Sequence, residues 1–291
     1  MVQHMGNEAP LVCAVMLNYK NPELTIKSAT CVLDAAKELQ VPIRIIVVDN
    51  SAPETAHTLR SRLQSAFQHQ VQLIENAENV GFAKANNQGV HACTSKYILL
   101  LNNDVFINSD CLRLGLAFLE EHPHVGIWAP RLVGPDGKNQ VSTGNFPTLA
   151  GVLREYILGW IPRAHVNEPK RAEPTPVDTV VAAVWLMSRR TWEIVGPLDE
   201  SYFFTMEDVD YCKRVNDAGL SVVYDLRCSV THIRGSSQPW PWHRNPFLHH
   251  HRVLYFRKHH GRAKTSAATG IIRLGLALRR FKERLTRRYP P

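Results

Sequence analysis

The apolar residues of the first 130 positions form short runs that are separated by longer amphipathic segments. The runs at 11–17 and 97–101 are long enough for buried strands and too short for typical helices. Between them, the segment that begins at Pro22 carries apolar residues at helical spacing, with proline in its first turn. This alternation predicts an α/β fold with a doubly wound, mostly parallel central sheet flanked by helices.

The same pattern predicts further elements along the chain. Helices are expected over 53–66, 82–93 and 110–121, with strands at "IRIIVVD", "VQLIEN" and "VGIWAPRLV". After about residue 130 the pattern becomes irregular: "GPDGK" predicts a hairpin turn, and 161–178 a loop or mobile lid. A strand and a short helix that ends at Gly196 are expected next. They are followed by a helix that begins with acidic residues and ends at Gly219, and then by a strand.

Polar clusters end three of the predicted strands, at Asn18–Tyr19, Asp49–Asn50 and Asn102–Asp104. The carboxyl ends of parallel strands share one edge of a sheet, so these clusters are expected to converge on one crevice. Three unrelated turns are the alternative, since Asn and Asp are good turn formers. The chain has no GxGxxG after its first strand and no GxxxxGK[ST]. A nucleotide would therefore be held by side chains on its base and ribose, with its phosphates on a metal.

Composition limits the partners and the compartment. The chain has 291 residues, 44% of them hydrophobic, which is enough for a sizeable core. Its net charge of +8 equals the excess in residues 262–291, with nine basic residues and one acid, so the remainder is neutral. Six scattered cysteines without a CxxC pair indicate a reducing compartment. With no signal-peptide pattern and no long apolar run, we expect a cytoplasmic protein.

Six segments together resemble a known family. They are "VMLNYKNPE", "IIVVDNSAPE", "ENVGFAKANNQGV", "YILLLNNDV", "GPLDESYFFTMEDVDYCKRVNDAG" and "VTHIRGSS". In order and rough spacing they resemble family 2 glycosyltransferases with the GT-A fold, and most of all the bacterial rhamnosyltransferases of cell-wall and O-antigen assembly. The resemblance covers about residues 10–260. It implies an inverting transferase with a nucleotide-diphosphate sugar donor, such as dTDP-rhamnose, and a lipid-linked saccharide acceptor.

The resemblance implies which residues bind the donor. Asp49 matches the acid that accepts a hydrogen bond from the pyrimidine N3–H, which thymine and uracil carry. Lys84 is expected to reach a phosphate and Asn87 the sugar nucleotide. An ordinary turn at Asp49 and a solvated helix face at Lys84 are the alternatives. The full set expected on the donor side is Asn18, Tyr19, Asp49, Asn50, Lys84, Asn87, Asn102 and Asn103.

The "NND" sequence at 102–104 occupies the position of the family's DxD motif. The resemblance therefore assigns Asp104 to a divalent metal, Mg²⁺ or Mn²⁺, while Asn102 replaces the first acid. A single carboxylate leaves room for diphosphate oxygens, water and one more side chain. His232 matches a histidine that supplies that ligand in some relatives; a capping or core histidine is the alternative.

Three acids stand at the start of one predicted helix. An inverting transferase needs a base near the acceptor hydroxyl, and the resemblance places that base at Asp208. Glu207 beside it and Asp210 are expected on the acceptor side, with Asp210 paired to Arg214 at i, i+4. Capping of the helix dipole is the alternative for these acids. "VVAAVWLMSRR" departs from the family at Ala182–Ala183, which puts the shape of the acceptor site in doubt.

A histidine-rich segment follows at 243–260. It lacks cysteines and an HExxH pattern, so a metal site there is disfavoured. With Arg244 and other basic residues interleaved, it predicts a basic helix near the mouth of the active site that would suit a diphosphate.

The C-terminal tail has an apolar stripe at helical spacing, formed by Ile271, Leu274, Leu278, Phe281 and Leu285. Arginines 273, 279, 280, 284 and 287 are expected largely opposite. This pattern predicts a helix that binds anionic membranes through residues 265–291, on the inner face of the cell membrane; docking onto the protein's own core is the alternative. Nucleic acid is disfavoured as a partner because the tail has few aromatic residues.

The sequence divides into a GT-A domain at 8–240, with a nucleotide-binding half to about 130 and an acceptor half at 131–240, and a basic helical region at 241–291. Two other functions stay open. A nucleotidyltransferase would need a Gly-rich basic loop after the first strand, which "NYKNPE" does not provide. A non-catalytic membrane adaptor with a transferase-like fold is disfavoured by the presence of both Asp104 and Asp208.

Overall fold

A computed structural model describes residues 9–51, 53–67, 70–159, 173–233 and 245–288, with only the backbone for 53–58 and 282–288. The first hundred residues alternate strands and helices, as predicted. In chain order these elements are β1 (Val12–Asn18), α1 (Pro22–Glu38), β2 (Ile43–Asp49), α2 (Pro53–Phe67), β3 (Val71–Glu75), α3 (Phe82–His91) and β4 (Tyr97–Asn102).

The second part of the chain has shorter strands. It continues with β5 (Val105–Phe106), α4 (Ser109–Glu121), β6 (Val125–Val133), β7 (Asn139–Gln140), β8 (Thr143–Gly144), α5 (Leu149–Tyr156), β9 (Thr175–Val177), β10 (Thr179–Val180), β11 (Val184–Ser188), α6 (Arg189–Val195), α7 (Glu207–Asp217), β12 (Ser221–His232), α8 (Leu248–His259) and α9 (Arg262–Arg288). The hairpin expected at "GPDGK" is confirmed by the antiparallel pairing of β6 with β7. Part of the predicted 161–178 loop lies outside the described residues; β9 occupies 175–177.

One sheet organises the described part of the molecule, in the order β3-β2-β1-β4-β11-β6-β12-β5. Strands β3, β2, β1 and β4 are parallel, and β12 is parallel to β6. β11 lies between β4 and β6 and runs antiparallel to both. The predicted mostly parallel α/β sheet is therefore confirmed. The sheet continues across residue 130, and the division into donor and acceptor halves stays a prediction.

Both faces of this sheet are buried, which explains the continuous apolar runs in the sequence. Along β1, Val12, Ala14 and Met16 belong to one hydrophobic core, while Cys13 and Val15 belong to the core on the opposite face. All five are fully buried. A third cluster lies apart from the sheet and joins α5, α8 and α9 through Tyr156, Tyr255, Phe256, Ala268 and Ile272.

Helix α9 docks onto the protein through a face other than the predicted stripe. Ala268 and Ile272 are buried in the third cluster, and Gly275 lies so close that a Cβ there would stand 2.5 Å from the carbonyl oxygen of Tyr156. The predicted stripe residues Leu274, Leu278 and Phe281 are 55%, 48% and 63% exposed.

Two members of the tail depart from the expected pattern. Ile271 is partly buried against the third cluster, and Arg279, expected on the solvated face, donates to the carbonyl oxygen of Glu155. The side chains of Leu285, Arg284 and Arg287 lie outside the described residues. Within the described part of the chain, no helix combines the length and the apolar character needed to cross a membrane.

Candidate active site

The three polar strand ends meet at one edge of the sheet, as predicted. β1 lies between β2 and β4, with Asn18 opposite Asp49 and Leu17 opposite Asn102. All three strands are parallel, so their carboxyl ends open on the same side of the molecule. The sheet topology therefore brings the predicted donor-side residues together, and three unrelated turns do not describe them.

Asn18 is the hub of this edge. Its Nδ2 donates to Asp49 Oδ1 at 2.8 Å and to Ser51 Oγ at 2.9 Å, and its Oδ1 accepts from Thr25 Oγ1 at 2.7 Å. Asn103 adds Nδ2 contacts to Asn18 Oδ1 and Thr25 Oγ1 at 3.3 and 3.0 Å. Because these side chains are buried and bonded to one another, Asn18 and Asn103 hold the edge together. Sequence reasoning assigned no role to Thr25 or to Ser51, although Ser51 lies in the "IIVVDNSAPE" segment.

The Asp49 carboxylate has two unequal oxygens. Oδ1 accepts from Asn18 Nδ2 and from the backbone N–H of Ser51 at 2.9 Å. The second bond is the Asx-turn contact that was the alternative for this residue. Oδ2 is buried without a hydrogen-bond partner in the structure. A buried carboxylate oxygen is costly to leave unpaired, so this atom marks a position for a donor from outside the chain.

The neighbouring residues build the wall beside Asp49. Asn50 donates to Asn79 Oδ1 and the Gly81 carbonyl, at 3.1 and 3.2 Å, and accepts from Asn76 Nδ2 at 2.8 Å. These contacts fasten the loop before α3 to the end of β2. Tyr19 is half-buried, and Lys84 is exposed on α3.

Asn87, predicted to contact the donor, makes an internal tie. Its Nδ2 donates to the Leu198 carbonyl and Glu200 Oε1, both at 2.9 Å, and its Oδ1 accepts from the Leu198 N–H at 3.0 Å. Its polar atoms therefore hold the 198–200 loop against α3. A contact with the donor remains a prediction for this residue.

Asp104 and His232 lie side by side although 128 positions separate them in sequence. β12 pairs with β5, which places His232 opposite Val105, and His232 Nε2 stands 3.4 Å from Asp104 Oδ1. His232 Nδ1 is 2.8 Å from Gln140 Oε1, an oxygen that accepts a hydrogen bond, so a hydrogen belongs on Nδ1. Nε2 is then an acceptor directed toward Asp104. Gln140, on β7, gave no sequence signal.

The Asp104–His232 pair fits a divalent ion. Two cis ligands with bonds of about 2.1 Å on an octahedral ion stand about 3 Å apart, close to the observed separation. A histidine that ligates through Nε2 while Nδ1–H is held by an oxygen has the usual orientation of a metal ligand. Among the described residues there is no group of three or more His, Cys, Asp or Glu side chains placed to hold a metal. The remaining ligands would come from the donor's phosphates and from water.

The acids of α7 reach the same edge through the two alanines that precede β11. The N–H of Asn102 donates to the Ala183 carbonyl at 2.9 Å, and the Asp208 carboxylate accepts a backbone hydrogen bond at Ala182. Asp208 is thus anchored next to the end of β4. The Ala182–Ala183 pair, which departs from the family pattern, lies between the candidate base and the "NND" segment.

Glu207 and Asp208 differ in environment. Glu207 is buried, its Oε2 has no partner in the structure, and burial followed by the Asp208 charge raises its pKa well above the usual range. Asp208 is half-buried, and burial raises its pKa to about 6 against the backbone hydrogen bonds that lower it. Burial and the neighbouring charge therefore favour the protonated form of Glu207, whereas Asp208, with a pKa of about 6, is mostly a carboxylate at neutral pH. Two neighbouring carboxyls with separated pKa values are typical of catalytic sites.

Asp210 packs against α8. It is fully buried and accepts from Arg214 Nε at 2.9 Å, Lys258 Nζ at 2.9 Å and His259 Nε2 at 2.8 Å. The predicted Asp210–Arg214 pair is confirmed, and the two α8 residues add to it. Burial alone raises the pKa of Asp210, but the bonds from His259, Lys258 and Arg214 lower it overall.

The histidine-rich segment forms helix α8, as predicted, and three of its histidines make contacts inside the protein while His250 and Arg257 are exposed. His251 is 2% exposed, His249 Nδ1 lies 2.5 Å from Tyr156 Oη, and His259 contacts Asp210. These rings face the third cluster and α7 because α8 packs between α7 and α9. Arg244, expected near the diphosphate, lies outside the described residues.

The model of the glycosyl transferase family 2 matches residues 14–193, more than half of the chain. The chain belongs to the family 2 glycosyltransferases. The transferase is 25% identical over 247 residues to the low-salt glycan biosynthesis hexosyltransferase Agl10 of Haloferax volcanii, covering 80% of this chain and 73% of that protein. It is 26% identical over 236 residues to N-acetylglucosaminyl-diphospho-decaprenol L-rhamnosyltransferase of Mycobacterium tuberculosis, covering 74% of each. To the dTDP-rhamnosyl transferase RfbF of Shigella flexneri it is 27% identical over 214 residues, covering 72% and 65%.

Solved structures share the fold of the transferase. GalNAc-T7 with UDP, GalNAc and Mn²⁺ matches with a TM-score of 0.62 and 12% identity over 86% of this chain and 48% of that one. The mannosyltransferase PcManGT from Pyrobaculum calidifontis, with GDP-Man and Mn²⁺, matches with a TM-score of 0.57 and 16% identity over 94% and 75%. The GT-A fold expected from the resemblance is confirmed.

Proposed function

We propose that this family 2 glycosyltransferase inverts the anomeric centre of a pyrimidine nucleotide-diphosphate sugar as it transfers the sugar to a lipid-linked saccharide. The observation that carries the proposal is the position of Asp208. It is a half-buried carboxylate with a pKa of about 6, held through Ala182 beside the strand end that carries Asp104. The proposed base and the proposed metal ligand thus belong to one crevice.

Asp49 supports a pyrimidine donor. Its buried Oδ2 lacks a partner, and a pyrimidine N3–H would supply one. Thymine and uracil carry that N–H, whereas N3 of cytosine is an acceptor and would face a carboxylate oxygen. dTDP and UDP are therefore the expected nucleotides.

Asp104 and His232 are the residues that would hold a divalent ion, with Gln140 fixing the histidine ring. Bound there, Mg²⁺ or Mn²⁺ would neutralise the charge that develops on the departing diphosphate. Lys84, exposed on α3, is proposed to pair with a phosphate oxygen of the donor. Two relatives of the same fold contain Mn²⁺ in their solved structures.

Asp208 performs the proton transfer in this mechanism. Its carboxylate accepts the proton of the acceptor hydroxyl as that oxygen bonds to the anomeric carbon on the face opposite the nucleotide. The bond from the anomeric carbon to the diphosphate breaks, and the nucleoside diphosphate leaves with the electron pair. Burial raises the pKa of Glu207 and so disfavours a second negative charge beside Asp208. A single displacement at the anomeric carbon inverts its configuration.

The relatives support the choice of sugar and acceptor. Two of them are named as L-rhamnosyl or dTDP-rhamnosyl transferases, and one acts on a diphospho-decaprenol carrier. We therefore propose dTDP-L-rhamnose as the first donor to test and a polyprenyl-diphosphate saccharide as the acceptor. The exposed apolar stripe of α9, with Arg273 and Arg280 exposed beside it, would place the enzyme on the anionic inner face of the cell membrane.

A thermal-shift comparison tests this function. We expect dTDP and UDP to raise the melting temperature more than CDP, GDP or ADP, and Mn²⁺ to enlarge the increase, because ligands stabilise the state they bind. The matched control is Asp104→Asn, which should keep nucleotide binding and lose the Mn²⁺-dependent part. Equal stabilisation by GDP and dTDP would contradict the pyrimidine assignment.

Two other functions predict different results. A sugar-phosphate nucleotidyltransferase would release diphosphate from a nucleoside triphosphate. A non-catalytic adaptor would bind vesicles and transfer no sugar from any of the donors.

A further inference from the structure

Strained backbone lies directly before the candidate base. Thr205 and Met206 have φ angles of 71° and 74°, so two successive non-glycine residues occupy the left-handed region. A side chain makes this conformation unfavourable, and it persists only where the surroundings hold it. Met206 is also the N-cap of α7 and makes no side-chain cap hydrogen bond. The next two residues are Glu207 and Asp208.

One buried histidine holds this turn. His251, on α8, is 2% exposed, and its Nδ1 lies 2.9 Å from the Thr205 carbonyl oxygen and 3.1 Å from that of Phe204. Both neighbours are acceptors, so Nδ1 carries the proton and donates to them. Burial lowers the pKa of His251, which favours the neutral ring.

Aromatic neighbours fix the orientation of the His251 ring. Phe247 stacks on it, with ring centroids 5.8 Å apart and planes inclined by 20°. Tyr202 meets its edge, with centroids 5.4 Å apart at 73°. The Nδ1–H is therefore directed at the turn by packing on two sides, in the manner expected of a preorganised supporting group.

The turn connects the donor side of the crevice to the base. On its N-terminal side the Phe203 carbonyl accepts from the Phe82 N–H at 2.9 Å, and Gly81 packs against Phe203. On its C-terminal side the Met206 carbonyl accepts from the Asp210 N–H at 2.9 Å, which begins α7. A change in the turn would move Asp208 relative to the loop that borders the donor.

We propose that His251 is a positioning residue for the Asp208 carboxylate, because its Nδ1–H clamps the left-handed Thr205–Met206 turn from which α7 begins. This inference rests on the proposed function, in which Asp208 is the base. His251 acts through the backbone and touches neither substrate nor metal. A histidine that served packing alone would not need its donor.

The test compares His251→Asn with His251→Leu, two side chains of similar size and shape, one with an N–H donor and one without. Single-turnover sugar transfer is measured at saturating donor, together with donor affinity and melting temperature. We expect the leucine variant to bind the donor normally and to transfer sugar about 10²-fold more slowly, as for a misplaced catalytic group. The asparagine variant should stay within a few-fold of wild type.

Each outcome decides the proposal. A leucine variant that does not fold, beside a folded and active asparagine variant, gives the hydrogen bond a role in stability and overturns the positioning assignment. Equal rates for the two variants, or failure of both to fold, assign His251 to packing and overturn it. Asp208→Asn is measured in parallel: if it transfers sugar at the wild-type rate, the proposed function fails, whatever the His251 variants do.

Discussion

Asp49 gives one carboxylate oxygen to the protein and leaves the other buried without a partner. In Asp49→Asn the amide oxygen must take the Oδ1 position, since Asn18 Nδ2 and the Ser51 N–H both donate there. The amide N–H₂ group then occupies the position of Oδ2 and faces the pyrimidine ring of the nucleotide. We expect dTDP to bind at least about tenfold more weakly and CDP, whose N3 is an acceptor, more tightly. Titration calorimetry with both nucleotides measures the change, and unchanged preference for dTDP would contradict the assignment.

Because the pKa of Asp208 is raised, the activity and the stability of the enzyme should change in opposite directions as the pH rises. Activity needs the carboxylate, so the single-turnover rate should fall about tenfold per pH unit below the pKa of about 6. Because the folded-state pKa lies above the unfolded value near 4, the folded protein binds more protons in this window, and stability falls as pH rises from about 4 to 6. Asp208→Asn should remove this loss, which melting temperatures across that range measure. A rate independent of pH from 5 to 7 would speak against Asp208 as the base.

The sequence singled out the acids of the crevice more readily than their partners. Asp49, Asp104 and Asp208 each follow a recognisable pattern. The parts played by Thr25, Ser51 and Gln140 were not predictable, because each depends on a side-chain contact with a residue distant in sequence. Polar networks of this kind depend on the tertiary structure, which a local pattern does not contain.

At the scale of elements, α8 links α7 to α5. Lys258 and His259 contact Asp210, while His249 contacts Tyr156 on α5. The charges of this segment predicted a basic helix. The pattern did not show which of its side chains face inward. The alternation of strands and helices was easier to predict, since each strand is buried on both faces and forms a continuous apolar run. The antiparallel direction of β11 was not predictable from its own residues, because it is defined only by its pairing with β4 and β6.

Asp210→Asn tests whether this acid serves the scaffold. Removing its charge leaves Arg214, Lys258 and His259 around a neutral amide, and loss of one partner of a buried ion pair typically costs about 3–5 kcal/mol. The depressed pKa of Asp210 makes its contribution present above pH 4 or so and lost as pH falls further. We expect a lower melting temperature at pH 7 and a smaller difference from wild type at pH 3. The folded variant should transfer sugar within about tenfold of wild type; a folded but inactive variant would contradict this role.

At the scale of the whole molecule, α9 has separate faces for docking and for solvent. Its docking face covers Tyr156, so deletion of the tail would expose core residues. A loss of vesicle binding could then not be separated from a loss of folding. Substitution of Leu274, Leu278 and Phe281 by serine leaves the docking face intact. The triple variant should keep its melting temperature and lose most of its binding to phosphatidylglycerol vesicles, by about 10²-fold or more if each residue buries its side chain in the interface.

The matched control for α9 is Ile194→Ser on α6, an apolar residue that is 50% exposed away from the tail. It should bind vesicles like wild type. Vesicles of phosphatidylcholine should bind wild type more weakly, since the anionic surface contributes about 1 kcal/mol per basic residue near it. Vesicle binding by the triple serine variant at the wild-type level would exclude the stripe as the membrane surface.

The central claim is that one carboxylate, Asp208, takes the proton of the acceptor during sugar transfer. The most direct measurement is single-turnover transfer from dTDP-L-rhamnose by wild type and Asp208→Asn, at saturating donor and Mn²⁺, with donor affinity measured on the same samples. We predict unchanged donor affinity and a rate about 10²–10⁴-fold lower in the variant, which corresponds to about 3–5 kcal/mol of barrier. A folded Asp208→Asn enzyme that binds the donor and turns over within a few-fold of wild type would contradict the account.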